Sequence, residues 1–115
     1  MLLLMISTVA ASSRNVLYTG IAMSDERNLQ PGKDMVLSVS ITNKGSEGLK
    51  DVDVTVSLLG HFIREKNRID RIKTGETEST RFYLRLPDDL HGYEYIKITV
   101  NHKEYKRTIY REIRI

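Results

Sequence analysis

Leu37, Val39 and Ile41 alternate with Ser38, Ser40 and Thr42, and the same period of two returns over Val52 to Leu58, Phe82 to Leu86 and Ile96 to Val100. That period puts successive side chains on opposite faces of an extended strand, whereas a helix needs apolar residues three and four apart. After residue 14 no stretch sustains the helical spacing. Each strand therefore carries one apolar face. A single sheet would leave all those faces in water, at a cost of ~25 cal/mol for each Å², and two sheets packed face to face remove it. The expectation is an all-β, immunoglobulin-like sandwich of about seven antiparallel strands, with a closed barrel as the alternative.

Further strands are expected around Val16 to Ala22, as a short piece at Ile69 to Ile72, and at the end of the chain, where Ile109, Ile113 and Ile115 alternate around an intrusive Arg111. A bulge or a solvated end of the sandwich would accommodate that arginine. Pro31-Gly32, Asn43-Lys44-Gly45, Gly48, Thr74-Gly75, Pro87 and Gly92 separate the strands. These residues supply the positive φ, or the missing ladder donor, that turns require.

With 115 residues there is room for one domain. Its core must be aliphatic, because the chain has two Phe and no Trp; without Cys, packing rather than disulfides or a thiolate-held zinc must hold it. Eighteen basic against fifteen acidic residues, interspersed, are too small an excess for a nucleic-acid footprint. Residues 1–11, MLLLMISTVAA, read as a signal peptide or a truncated hydrophobic segment: Val9 and Ala11 suit cleavage before Ser12, but no Lys or Arg precedes Leu2. The run is too short to span a bilayer, which takes ~20 apolar residues. The sandwich would occupy 12–115.

The order Pro31-Gly32-Lys33, Val39 to Gly45, Leu49 to Val54, Thr74-Gly75-Glu76, Leu84-Arg85-Leu86-Pro87 and Gly92 resembles the CARDB-type and archaeal surface-layer-like immunoglobulin-fold modules of cell-surface proteins. The likeness runs from about Leu29 to Ile115. It implies an extracellular or cell-surface spacer, adhesion or assembly module. The partner would be a surface protein or cell-envelope polymer, with membrane anchoring through the N-terminal segment. A carbohydrate-binding module, or the soluble head of a membrane-anchored filament or stator component, is the alternative.

No Gly-x-Ser-x-Gly turn or phosphate-cradling glycine loop occurs, so no enzymatic activity and no cofactor are expected. His61, His91 and His102 fall in separate expected loops without ligand spacing, and Asp51 and Asp53 supply two of the ~6–8 oxygens calcium takes. No metal site follows. Immunoglobulin-like strand order would set Tyr93, Tyr95 and Tyr110 on one sheet face, rimmed by Asp53, Lys97 and Arg114, as a candidate surface for protein docking or sugar stacking. Arg64, Lys66, Arg68, Arg71 and Lys73 read as a basic middle loop able to touch an anionic polymer or lipid headgroup.

Overall fold

The computed structural model describes residues 17–23, 29–103 and 105–115, with backbone alone for 17–21 and 23. The expected leader at 1–11, the cleavage point at Ser12 and the start of the first strand at Val16 lie outside the described residues.

Among the described residues there are seven strands: β1 (Leu17–Met23), β2 (Asp34–Asn43), β3 (Leu49–Leu58), β4 (Ile63–Ile72), β5 (Thr77–Arg85), β6 (Tyr93–His102) and β7 (Tyr105–Arg114). All pairings are antiparallel, in a three-stranded sheet of order β1-β2-β5 and a four-stranded sheet of order β4-β3-β6-β7. Two separate sheets make this the expected sandwich and not a closed barrel.

The alternating residues meet between the sheets. Leu37, Val39 and Ile41 from β2, Val52, Val54, Val56 and Leu58 from β3, Phe82 and Leu84 from β5, and Ile96, Ile98 and Val100 from β6 are all buried. Among the described residues Phe82 is the only buried aromatic hydrophobic; the other buried hydrophobic residues are aliphatic or Met35. The opposite face of β2 is polar, and its hydroxyls pair across to β5, Ser40 with Ser79 and Thr42 with Thr77, each at 2.7 Å.

Two expectations need correction. The strand expected at Ile69 to Ile72 spans Ile63–Ile72, so Arg64, Lys66 and Arg68 belong to a strand and not to a loop. Of the two accommodations expected for Arg111, the bulge is absent, since the final strand's register with β6 is continuous from Tyr93↔Arg114 to His102↔Tyr105. Both strands are the margins of the larger sheet. There the three-stranded sheet covers the inward side incompletely, and polar side chains at inward positions are tolerated. Asn67, inward on β4, donates its side-chain amide to Thr80 Oγ1 and to the Arg81 carbonyl, both at 2.9 Å, and so joins the edge of one sheet to the edge of the other.

Asn43 closes the end of β2. It is fully buried, and its amide donates to the carbonyls of Glu47 at 2.8 Å and Ile72 at 2.9 Å, while its Oδ1 accepts from the Gly45 amide at 2.9 Å. Its backbone adds bonds with Glu76 and Gly75 at 3.0 and 2.8 Å. One side chain thus ties β2, the 44–48 connection and the end of β4 together.

These connections sort the molecule into two poles. Leu17 pairs with Asn43, so β1 begins at the Asn43 pole, beside the 44–48 and 73–76 turns. Tyr93 pairs with Arg114, and the Ile115 amide donates to Gly92, so β7 ends at the other pole, with the 59–62 turn and the 86–92 loop. A ten-residue strand separates the poles by ~33 Å.

Asn43→Ala should lower the unfolding free energy by about 2–4 kcal/mol, because two carbonyls and an amide lose their partners in a dry site. Urea titration checks this, and a loss within experimental error would show that the tie is dispensable.

Candidate binding face

Register decides which side chains share the outer face of the four-stranded sheet. Tyr93, Tyr95 and Lys97 on β6 stand opposite Arg114, Glu112 and Tyr110 on β7, so all six project outward together. The three tyrosines are exposed, at 60%, 47% and 59% for Tyr93, Tyr95 and Tyr110, which makes them available to a ligand. The Tyr95 hydroxyl donates to Glu112 at 2.8 Å, and that bond to a carboxylate holds the phenolic proton and raises the pKa. The Arg114 guanidinium lies 5.6 Å from the centre of the Tyr93 ring. Tyr95 and Tyr93 are thus each steadied by a charged neighbour on β7.

Asp53 does not rim these tyrosines. It pairs with Asn101, at the far end of β6 from Tyr93, where Arg68 grips it at 2.8 and 3.3 Å and Lys66 lies 3.7 Å away. The hydrogen bond from Arg68 holds its carboxyl below the usual carboxylate value, against the opposing effect of desolvation. Alternation assigns Asp53 to the correct face, but only register tells how far along it lies.

Those partners show where the basic cluster goes. Arg64 stands opposite Ser57, Lys66 opposite Thr55 and Arg68 opposite Asp53, all outward on β4 and therefore on the tyrosine face. Arg71 lies past a change of phase, where Lys50 and Asp51 on β3 are both exposed and Asp51 takes φ +55°. Lys73 sits beyond the strand. Three of the five basic residues join the face and two do not.

His61 and His91 lie at one pole and His102 at the other, and His102 is no loop residue. His61 Nε2 lies 3.6 Å from Glu94, and His91 Nδ1 lies 3.1 Å from the Asp89 carbonyl. His102 ends β6, is buried, and stacks on Tyr105 with ring centres 6.0 Å apart. Its Nδ1 has no hydrogen-bond partner among the described residues. Among the described residues no three His, Cys, Asp or Glu side chains gather where they could hold a metal ion.

Sequence reasoning placed His61 in a loop but missed what the 59–62 turn displays. The His61 amide bonds to the Leu58 carbonyl at 3.2 Å with Gly60 at φ +80°, and the turn leaves Leu59 and Phe62 outside, Phe62 completely so. The available signal was an aromatic residue directly after Gly60-His61 in a turn.

Asp53→Asn should reduce stability at neutral pH, and the deficit relative to the native protein should close as pH falls. A carboxyl with a lowered folded-state pKa stabilises above its unfolded value and loses that contribution as pH drops through the folded value. Urea unfolding between neutral pH and about pH 2.5 checks this; a deficit independent of pH would assign the effect to packing.

No protein-family model matches the chain, and no curated protein matches it. Solved structures do. A CARDB domain from Pyrococcus furiosus superposes with a TM-score of 0.62 at 20% identity, covering 86% of this chain and 93% of that one. A crystal structure of the same Pyrococcus domain is a complex with di-metal ions. A FixG-related protein from Vibrio parahaemolyticus gives 0.61 at 12% identity, with 87% and 96% covered. The alkylpurine DNA glycosylase AlkC of Pseudomonas fluorescens, solved bound to DNA, gives 0.57 at 14% identity, with 87% of this chain but 31% of that one covered. Identities this low speak for architecture alone. By superposition, this chain of two antiparallel sheets has the CARDB-type immunoglobulin-like fold.

Proposed function

We propose that the chain is a non-catalytic domain of the cell surface or envelope, which acts by holding a sheet face and a pole in position for another macromolecule. The observation that carries this reading is the path of the chain: β1 begins at one pole and β7 ends at the other. A domain threaded in this way adds its length to whatever lies on either side of it, which is what a spacer or presenting module needs. The fold shared with the CARDB domain supports the same reading, as does the resemblance of the turn and strand motifs to modules of cell-surface proteins. Adhesion would then work through contacts of the exposed face and of the pole that displays Leu59 and Phe62.

A second reading, a carbohydrate-binding module, is favoured by one observation: Tyr93, Tyr95 and Tyr110 share a single exposed surface. Aromatic side chains with polar tips suit both protein docking and stacking on sugar rings.

Antibody labelling of intact cells of the source organism, with and without external protease, tests the surface assignment. Labelling that protease removes is the expected result; recovery exclusively from the cytosol would overturn it.

A further inference from the structure

The tyrosines and the basic residues are far apart in sequence and adjacent in the sheet. One row across the outer face runs Tyr110, Lys97, Ser57, Arg64, and the next runs Thr108, Thr99, Thr55, Lys66. A third runs Lys106, Asn101, Asp53, Arg68. With Arg114 beside Tyr93, these rows carry six cations against two carboxylates, Asp53 and Glu112, and Asp51 and Asp70 lie near Arg68 at the far end of the face. The face is thus net positive, as is the whole chain with its formal charge of +3. Among the described residues neither Arg64 nor Lys97 has an ion-pair partner.

The pattern selects among ligands. Within the strands no aliphatic side chain stands on the face, the exposed Leu59 bordering it only at the Tyr95 end, and its middle is a lane of Ser and Thr hydroxyls, whereas the centre of a protein interface is apolar and depleted of charge. A nucleic acid brings a phosphate for every nucleotide and calls for densely placed cations. Here Arg64 and Lys97 are two strand spacings apart, about 10 Å, and the two cations that do converge, Lys66 and Arg68, are taken up by Asp53. Spread charges, hydroxyls that donate and accept, and exposed aromatic rings fit an extended chain of sugars with intermittent acidic groups.

We propose that the outer face of the four-stranded sheet binds a linear anionic polysaccharide, with Arg64, Lys97 and Arg114 meeting its carboxylates and Tyr95 and Tyr110 stacking on its rings. This ligand class rests on the reading of the domain as a surface module. The two fail separately, since polymer binding is measured on purified protein and location on cells.

The experiment is binding of the full chain to polygalacturonate, with dextran as the neutral polymer, single-stranded oligothymidylate, and vesicles containing phosphatidylglycerol. Polygalacturonate should bind and dextran should not, and the affinity should weaken about tenfold from low to physiological salt. Arg64→Ser with Lys97→Ser should weaken it by about fivefold or more. Tyr110→Ser should weaken it as well. Arg81→Ser with Arg85→Ser removes equal charge from the outer face of the other sheet and should leave binding within about twofold. Every substituted side chain is at least partly exposed, and an unchanged circular dichroism melt verifies the fold of each variant. Absence of polygalacturonate binding, equal losses from the two charge pairs, or tighter binding to oligothymidylate or to vesicles would overturn the proposal.

Discussion

Aliphatic side chains packed between two sheets hold this molecule together, and every other feature depends on that layer staying dry. There is no cysteine to staple the sheets and no tryptophan to fill the gap. Val54, Ile98, Val39 and their neighbours must interlock at crystal-like density, because voids between them would forfeit dispersion contacts without a compensating bond. Polar groups enter this region in few places. Asn43 and Asn67 do so by saturating backbone carbonyls that would otherwise lack donors. Both join segments of different sheets, so the chemistry that permits their burial also aligns the two layers.

Alternation made the inner strands legible, since β2, β3 and β6 have neighbours on both sides and an opposing sheet, and their inward positions are apolar except at the strand ends, where Asn43, Glu94 and His102 stand. The margins obey a looser rule. On β4 the inward positions between Ile63 and Ile69 are Glu65 and Asn67, and on β7 Arg107 and Arg111 interrupt the apolar series. A strand half outside the shadow of the facing sheet pays little for a polar residue there, so its pattern fades while its pairing remains. That is why β4 reads as a basic loop in sequence and is a ten-residue strand in the fold.

The candidate face was legible in part for a related reason. Parity alone places Tyr93, Tyr95, Lys97 and Asp53 on one side of the sheet, and strand order adds Tyr110. Distance along the strands needs the register, and register moves Asp53 away from the tyrosines and Arg64 toward them. Phe62 lies in a turn, where no periodicity exists to say which way a side chain points, and its exposure could only come from the three-dimensional arrangement. His102 is the converse: a strand-end residue whose ring is sheltered by Tyr105 just across the hairpin.

The separation of entry and exit to opposite poles bears on how the domain carries load. Tension drawn through the two ends would run nearly parallel to the strands, so β1 would have to slide along β2, and β7 along β6, straining many ladder bonds at once. Peeling a hairpin from one end breaks such bonds one after another and yields at far lower force. Under such tension, the order in which those bonds are loaded would follow from where β1 and β7 point, and not from equilibrium stability alone.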